Sequence, residues 1–193
     1  VKMATEFNPE DMYADDDMVI TISHFGYIKR TPLADFRQQG RGGVGAKASA
    51  ARDEDFIEYV HQANMHSTMM FFTEQGRLYW IKVYDIPEGN RQSKGRALQN
   101  MINIQKGDKV CAFIHVKNLN DREYVDNHYL IFATKDGLMK KTTLECYSRP
   151  RANGIIALGL REDDRLIRVT LTDGNSQMLV ASYNGKVVRF PED

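Results

Sequence analysis

The residue types best suited to chemistry lie in one glycine-rich stretch, Gln39–Gly45, with Arg37 before it and Lys47 and Arg52 after it. Glycines leave backbone N–H groups open to a ligand and the flanking bases supply positive charge, so the stretch is suited to holding phosphate groups. The residues alone leave three interpretations: a dinucleotide site, a surface turn, or a loop that contacts nucleic-acid phosphates.

The spacing Gly40-x-Gly42-x-x-Gly45 matches a dinucleotide-binding fingerprint, but its surroundings do not. The fingerprint needs a buried strand just before the glycines and an apolar helix just after them. Neither Ala34–Gln38 nor Lys47–Asp53 has those features, which argues against a nucleotide site. A surface turn stays open, because glycine supplies positive φ wherever a chain reverses.

Other reactive residue types show no arrangement for catalysis or metal binding. Cys111 and Cys146 are far apart and outside any C-x-x-C pattern, so neither a disulfide framework nor a zinc site is predicted. Asp163 and Asp164 precede a strand and are interpreted as turn residues. No metal-ligand spacing occurs among the histidines, which are His24, His61, His66, His115 and His128.

Composition places the chain among soluble proteins of a reducing cytoplasm. Its 193 residues are 42% hydrophobic, enough for one substantial core. No apolar run approaches the roughly 20 residues that span a bilayer, so no membrane partner is expected. The N-terminus lacks a basic region followed by an apolar stretch, which predicts no secretion signal.

The formal net charge of zero hides an uneven distribution. Residues 1–20 hold six acids and one base, so the rest of the chain is mildly basic. Residues 1–16 are polar and aperiodic and are interpreted as an acidic linker or leader. A neutral total therefore does not exclude a nucleic-acid binder, which usually shows a basic excess.

The elements that must position the glycine-rich stretch repeat along the chain. In each repeat an apolar strand enters a tight turn that ends in glycine and returns as a strand carrying bases. Asp-Gly and Asn-Gly between apolar runs predict type I′ turns. The four predicted hairpins are Val19–Arg30, Met69–Lys82, Leu130–Lys141 and Met178–Arg189. They define repeat units around residues 17–67, 68–128, 129–176 and 177–193, the second lengthened by a polar loop at Lys117–Glu123.

The segments between hairpins also repeat. Each holds a glycine in a linking segment, and a short apolar strand completes the repeat. The predicted third strands are Phe56–Val60, Lys109–Ile114 and Arg165–Val169, and the equivalent glycines are Gly43, Gly95 and Gly154. Because Arg91–Arg96 and Arg149–Gly154 are basic as well, the glycine-rich stretch is one instance of a repeated element.

A period near 50 residues with four strands per unit predicts an all-β, propeller-like fold built from blades. Bases recur on the second hairpin strand and in the linking segment, and equivalent positions of a radial repeat lie on one surface. The pattern therefore predicts a positive band and favours phosphate contact for the glycine-rich stretch. Trp80 and the run Met69–Phe72 are predicted to be core strand residues rather than a base-stacking surface.

Several motifs carry a family resemblance. The first motif consists of Gln39, Arg41, Gly42, Gly43 and Gly45. The others are Ser23-His24, Gly26-Tyr27, Lys82-Val83-Tyr84 with Pro87, Lys140-Lys141-Thr142 and Gly185–Phe190. On these residues, Asp17 to Pro191 resembles the C-terminal β-pinwheel domain of the DNA gyrase A subunit, whose gyrase A box reads Q-R-R-G-G-K-G. Gly40 and Val44 replace two bases of that box, and Arg37 and Lys47 lie close enough to compensate.

The resemblance implies that the chain binds duplex DNA without sequence specificity, bends it and wraps it with positive handedness. The rest of the enzyme, in an A2B2 assembly of gyrase A and B subunits in the bacterial cytoplasm near the nucleoid, would then supercoil DNA negatively with ATP and Mg²⁺. The family's catalytic tyrosine follows an arginine, and no Arg-Tyr pair occurs here. No catalysis and no cofactor are therefore expected of this chain alone.

The DNA-binding residues that we predict are bases, glycines and one glutamine of the linking segments, together with two bases of the third hairpin. They are Arg37, Gln39, Arg41, Gly42, Gly43, Gly45, Lys47, Arg52, Arg91, Lys94, Arg96, Lys140, Lys141, Arg149 and Arg151.

Two alternatives to the gyrase interpretation remain. One is the C-terminal domain of the topoisomerase IV A subunit, which implies DNA binding without a chiral wrap. The other is a propeller-type scaffold whose basic band meets an acidic protein. The hairpins correspond to a partial disc of about three to four blades, and an unpaired strand edge would favour self-association.

Overall fold

The protein is an all-β chain, as predicted, in a computed structural model that describes residues 8–38, 54–90, 92–182 and 184–193. The strands are β1 (Asp17–Ser23), β2 (Tyr27–Pro32), β3 (Ile57–Asn64), β4 (Thr68–Thr73), β5 (Arg77–Lys82), β6 (Arg96–Ala97), β7 (Val110–Val116), β8 (Tyr129–Thr134), β9 (Met139–Thr143), β10 (Ile155–Ile156), β11 (Leu166–Thr172), β12 (Gln177–Ala181) and β13 (Val187–Pro191). The helices are α1 (Leu33–Gln38) and α2 (Arg122–Asp126), and short 3-10 turns lie at Pro9–Met12, Val83–Asp85, Leu98–Asn100 and Leu144–Tyr147.

All four predicted hairpins form. They are β1–β2, β4–β5, β8–β9 and β12–β13, each neighbouring in its sheet. The predicted third strands also form as β3, β7 and β11, and each pairs beside the first strand of its hairpin. Each begins one residue later and ends further along the chain than the apolar run predicts, because strand pairing continues into polar residues such as Gln62 and Asn64.

Short strands are exchanged between successive repeats. The strand orders are β3-β1-β2-β6, β10-β5-β4-β7, β11-β8-β9 and β12-β13. β6 follows the second hairpin in sequence but pairs with β2 of the first, and β10 follows the third hairpin but pairs with β5 of the second. No described residue takes the equivalent place beside β9.

The hairpin turns are tight, but the predicted type I′ geometry is wrong. The turn glycines Gly26, Gly76, Gly137 and Gly185 have φ between +77° and +86°, while Asp163 is the one non-glycine with positive φ among the described residues. A type I′ turn needs positive φ at both central residues. Each turn glycine instead donates its N–H to the carbonyl three residues earlier, as from Gly26 to Ser23 at 2.9 Å. A loop of this kind requires the left-handed conformation only at the glycine.

An aspartate before the third strand of each of the first three repeats holds the hairpin tip, and we call Asp55, Asp108 and Asp164 the turn clamps. In each clamp one carboxylate oxygen, Oδ1, accepts a tip N–H and the N–H of the residue after the aspartate. The donors are Phe25 and Phe56 to Asp55, Gln75 and Lys109 to Asp108, and Asp136 and Arg165 to Asp164, at 2.8–3.1 Å. Asp163 and Asp164 also lie in a turn of their own, because the Asp164 N–H donates to the Arg161 carbonyl at 3.2 Å, so their interpretation as turn residues is confirmed.

The described contacts divide the chain into two compact units, each with its own core. The first unit draws on Val1–Met69, Trp80–Ile104 and His115–Lys117, and its fully buried residues include Ile20 and Ile28. The second draws on Met70–Tyr79, Gln105–Ile114 and Asn118–Asp193. In the second unit the ring of Phe72 meets that of Phe132 edge-on at 5.6 Å.

Burial confirms most of the predicted core. The four residues from Met69 to Phe72 are fully buried. Trp80 is only half-buried. Successive side chains of a strand point to opposite faces, so burial at four successive positions means that β4 is covered on both faces.

The insertion in the second repeat is not the plain polar loop that its composition predicts. It contains α2, a short helix whose N-cap Asp121 accepts the Tyr124 N–H at 3.2 Å. Val125 of this helix is fully buried. The chain has no described helix long and apolar enough to cross a bilayer.

Candidate nucleic-acid interface

Many of the predicted DNA-binding residues lie outside the part of the chain that the structure describes. The side chain of Arg37 is among them, together with Gln39, Arg41, Gly42, Gly43, Gly45, Lys47, Arg52 and Arg91. The described members are Lys94, Arg96, Lys140, Lys141, Arg149 and Arg151. The geometry of the candidate interface therefore comes from the second and third linking segments and from the third hairpin.

The linking segment around Gly95 presents two exposed bases from an exchanged strand. Gly95 has φ +82°, and a Cβ there would collide with the Ile28 carbonyl, so only glycine lets the segment lie this close. Arg96 then pairs with Ile28 in the β2–β6 ladder. The side chains of Lys94 and Arg96 remain exposed.

The linking segment around Gly154 repeats this arrangement. Gly154 has φ +70°, and a Cβ there would stand 2.6 Å from the Leu78 carbonyl oxygen. The segment continues as β10 on β5. Arg149 and Arg151, just before the glycine, are exposed, and the Arg149 side chain is 86% accessible with one guanidinium nitrogen 3.6 Å from the Glu145 carboxylate. The predicted equivalence of Gly95 and Gly154 is thus confirmed.

In the first hairpin, the bases of the second strand serve a different purpose. Lys29 Nζ donates to the carbonyls of Asn90 and Ser93, at 2.8 and 3.0 Å, and burial lowers the pKa of Lys29. Arg30 is 7% accessible and donates to the Ile86 carbonyl at 3.0 Å. These two bases hold the segment that leads to Gly95, so the predicted exposed band does not extend to them.

Arg77 on β5 has the equivalent task in the second repeat. Its Nη2 donates to the Asn153 carbonyl at 3.2 Å, immediately before Gly154, and its Nε donates to the Tyr79 hydroxyl at 3.2 Å. Hairpin-strand bases therefore fix the linking segments, whereas Lys94, Arg96, Arg149 and Arg151 of those segments are exposed to solvent.

In the third hairpin, one base is exposed to solvent and the next is paired within the protein. Lys140 is exposed, whereas Lys141 Nζ lies 3.4 Å from a Glu192 carboxylate oxygen and 4.5 Å from the centre of the Tyr129 ring. Burial alone would raise the pKa of Glu192, but hydrogen bonds from Thr172, Lys141 and the Ser176 N–H lower it. The charge of Lys141 adds to that lowering. Glu192 is thus an ionised partner that offsets the charge of Lys141.

Sequence reasoning missed the turn clamps and Glu192. A signal for the clamps was present, because an aspartate precedes each third strand and a serine or threonine stands three residues before each turn glycine. The N–H groups of Tyr27, Arg77 and Leu138 donate to the hydroxyls of Ser23, Thr73 and Thr134, respectively, at 3.0–3.2 Å. The sequence contained no local pattern that could predict the role of Glu192, because its partner Lys141 lies 51 residues earlier in the chain.

Cys111, on β7, is a half-buried thiol. Burial, with the nearby charges of Glu74 and Asp108, raises the pKa of the Cys111 thiol to about 12, so it is not a reactive nucleophile near neutral pH. No group of three metal-ligating side chains occurs in the described ranges.

Hairpins that exchange a short strand with the preceding sheet, and carry exposed bases beside that strand, define an all-β repeat domain of the propeller class. Comparison with protein families gives the more particular result. The chain belongs to the family described as DNA gyrase C-terminal domain, beta-propeller, which matches residues 17–64, 67–125 and 128–173.

Individual relatives agree with this family. The chain is 42% identical over 189 residues to the DNA gyrase A subunit of Aeromonas salmonicida and 43% identical over 184 residues to that of Haemophilus influenzae. These matches cover 98% and 95% of the chain but 20% of each relative. The chain therefore spans about a fifth of the length of these relatives.

Solved structures show the same fold. The C-terminal domain of DNA topoisomerase IV is similar with a TM-score of 0.71 and 26% identity, covering 93% of this chain and 53% of that one. A DNA gyrase A C-terminal domain is similar with a TM-score of 0.66 and 21% identity, covering 92% and 55%. At 21% identity the second likeness concerns the fold alone.

Proposed function

We propose that this chain binds duplex DNA without sequence specificity, bends it and wraps it with positive handedness. The observation that carries the proposal is the repeated exposure of bases beside the exchanged strands, Lys94 and Arg96 in one linking segment and Arg149 and Arg151 in the next. Membership in the gyrase C-terminal domain family supports it.

Binding through such bases is electrostatic and independent of sequence. A side chain that contacts phosphate releases counterions and carries no base information. Bending 20–30 base pairs through 40–90° costs about 1–6 kcal/mol, more than one contact offsets. Several bases in successive repeats meet that requirement better than a single contact.

The wider role that we propose is that of a DNA gyrase A subunit. In an A2B2 assembly with gyrase B in the bacterial cytoplasm, this domain would present a wrapped segment for strand passage, and the remaining parts would use ATP and Mg²⁺ to introduce negative supercoils. The domain itself would catalyse no step.

The direct test is the linking number of a nicked plasmid sealed by ligase at increasing concentrations of the chain. Positive wrapping traps a positive shift that grows with protein concentration. Retarded DNA without any shift would contradict the wrap while leaving DNA binding intact. A plasmid sealed without protein is the reference.

Arg41→Ala tests the role of the glycine-rich stretch, whose residues Gln39–Gly45 lie outside the described ones. We expect the variant to lose more of the linking-number shift than of its DNA affinity, because neighbouring bases still hold phosphate. Affinity from gel retardation and the shift from ligation are measured on the same plasmid. An equal loss of both would show that Arg41 is one more binding site without a special place in the wrap.

A second candidate is DNA binding without a chiral wrap. The likeness at 26% identity to the C-terminal domain of DNA topoisomerase IV favours it. The ligation experiment separates the two functions, since only the gyrase-type function shifts the linking number. A scaffold for acidic proteins would show weak DNA binding with little salt dependence.

Self-association through a strand edge is a further proposal about partners. β12 and β13 form a two-stranded sheet, and Leu179, Val187 and Val188 are exposed on it. Unpaired edges recruit further strands. A mass that rises with concentration in sedimentation equilibrium would support this, and a constant monomer mass would exclude it over the range measured.

A further inference from the structure

The tip of the first hairpin carries an exposed aromatic cluster, which we call the aromatic tip and define as His24, Phe25 and Phe56. Phe25 is 54% and Phe56 48% accessible, and the His24 side chain is 45% accessible. Ile57, at the start of β3, adjoins the cluster and is also exposed. Exposed apolar groups that lie together mark interaction sites more often than isolated ones do.

The aromatic tip is held rigidly. The rings of His24 and Phe56 are stacked, 4.8 Å apart and 12° from parallel, and Phe25 lies 5.9 Å from His24. Asp55 accepts the N–H groups of both phenylalanines, at 2.9 and 3.0 Å, and His24 N–H donates to the Phe56 carbonyl at 2.8 Å. A surface fixed in advance loses little conformational entropy when a partner binds.

The other repeats show that the fold does not need these aromatic rings. The equivalent positions hold Glu74, Gln75 and Lys109 in the second repeat and Lys135, Asp136 and Arg165 in the third. The same hydrogen bonds form there, including Glu74 N–H to the Lys109 carbonyl and Lys135 N–H to the Arg165 carbonyl, both at 2.8 Å. The backbone arrangement of the tip therefore does not require the aromatic side chains of the first repeat.

The charge around the aromatic tip identifies the chemistry of its partner. Glu54, Asp55 and Glu58 lie next to it in sequence, and the Glu58 carboxylate is 3.5 Å from His24 Nδ1. Burial alone would raise the pKa of Asp55, but hydrogen bonds from Phe25, Ser23 and Phe56 lower it, so its carboxylate is charged at neutral pH. An acidic rim repels DNA phosphates and attracts Lys and Arg.

We infer that the aromatic tip docks a protein segment that carries aliphatic side chains between Lys or Arg residues. The aliphatic groups pack on Phe25 and Phe56, and the bases face Glu54 and Glu58. An apolar, aromatic-rich centre within a polar rim is the usual arrangement of protein interfaces. The aromatic tip adjoins β6 of the linking segment, since the Leu98 N–H donates to the Gly26 carbonyl at 2.8 Å, but none of its three rings is among the residues proposed for DNA.

The probe is a fluorescein-labelled peptide, Gly-Lys-Leu-Lys-Leu-Arg-Gly, with the charge-reversed Gly-Glu-Leu-Glu-Leu-Glu-Gly as its control. Fluorescence anisotropy at low salt should show saturable binding of the basic peptide by the intact chain and at least about tenfold weaker binding of the acidic one. No saturable binding of the basic peptide, or equal binding of both, would overturn the inference.

The variant Phe25→Gln with Phe56→Lys places the residues of the second repeat in the first, where the same backbone contacts already accept them. It should keep its fold by circular dichroism and lose at least about tenfold in affinity for the basic peptide. Gln75→Ala with Lys109→Ala, at the equivalent tip of the second repeat, should leave that affinity unchanged. Equal losses in both variants would overturn the inference.

Duplex DNA binding and sedimentation of the same variants identify any other occupant. A fall in DNA affinity in the Phe25→Gln, Phe56→Lys variant would assign the aromatic tip to DNA and overturn the inference. A dimer that depends on Phe25 would assign it to a second copy of the chain and do the same. Unchanged DNA affinity with lost peptide binding supports the inference whether or not the proposed wrapping is found.

Discussion

One aspartate fixes the tip of each of the first three hairpins from a distance of 28 to 33 residues along the chain. A carboxylate that accepts two N–H groups forms charge-assisted hydrogen bonds, which are stronger than neutral ones. The three tips carry unlike side chains but the same aspartate contact. At the scale of single residues, the repeats therefore resemble one another in their backbone hydrogen bonds more than in their surfaces.

Asp108→Ala should destabilise the chain by about 2 kcal/mol, because the N–H groups of Gln75 and Lys109 lose a charged acceptor. The measurement is the free energy of unfolding from urea denaturation. Asp136→Ala, in an exposed tip where only the backbone N–H is used, is the matched control and should change stability by less than about 0.5 kcal/mol. Equal effects would show that the clamp contributes nothing beyond a surface charge.

Acid should weaken the clamps. Burial alone would raise the pKa of Asp164, but hydrogen bonds from Thr134, Asp136 and Arg165 and the charge of Arg161 lower it. A carboxyl whose pKa is lower in the folded state stabilises the fold above its unfolded pKa of about 3.9, and this contribution is lost as the pH falls through the folded value.

The free energy of unfolding of the intact chain should therefore fall as the pH is lowered from about 5 to about 3, and the fall should be shallower in Asp164→Asn. Glu162→Gln, an exposed neighbour, serves as the control. Parallel curves for the intact chain and Asp164→Asn would contradict a lowered pKa at this position.

At the scale of elements, exchange of β6 and β10 is what gives the linking segments a fixed place. Gly154 permits it by combining a left-handed φ with a close approach to the Leu78 carbonyl. Gly137 has a similar φ of +84°, but a Cβ added there would meet no atom within 4 Å, so this position separates backbone strain from collision.

Gly137→Ala should cost about 1–2 kcal/mol of unfolding free energy for the left-handed conformation alone. Gly154→Ala adds a collision with backbone and with the Tyr79 ring, so its cost should exceed that of Gly137→Ala by about 1–3 kcal/mol. Urea denaturation gives both values. Equal costs would mean that β10 shifts away from β5 without loss.

The sequence predicted the hairpins because apolar runs and turn glycines are local signals. It predicted that Gly95 and Gly154 lie in equivalent segments. It did not predict that the strand after each glycine pairs with the preceding hairpin, because that pairing is long-range and the periodicity of the sequence does not encode it. For the candidate site, it predicted the exposed Lys94 and Arg151 and also Lys141, whose pairing with Glu192 depends on a contact 51 residues away. A base on a strand looks the same in sequence whether it faces solvent or a carbonyl.

At the scale of the whole chain, a formal charge of zero is compatible with DNA binding because acids pair with bases within the fold while other bases, such as Lys94, Arg96 and Arg151, stay exposed. Lys82 is 2.8 Å from Glu10 of the acidic leader, and Lys141 pairs with Glu192. The described part of the leader is not a bare linker, since Tyr13 stacks on Tyr84 at 5.2 Å. Binding of a polyanion therefore depends more on which bases remain exposed than on the formal net charge of the chain.

Arg149→Ala with Arg151→Ala tests that statement. If both side chains contact phosphate, the slope of log affinity against log salt concentration should become shallower by about 1.8, at about 0.9 for each lost contact. Arg168→Ala removes an exposed base from β11, outside the linking segments, and should leave the slope nearly unchanged. Fluorescence anisotropy with one duplex over a series of salt concentrations measures all three proteins. A shallower slope in Arg168→Ala as well would mean that DNA responds to overall charge, whereas a change confined to Arg149 and Arg151 would place the phosphate contacts beside the exchanged strand.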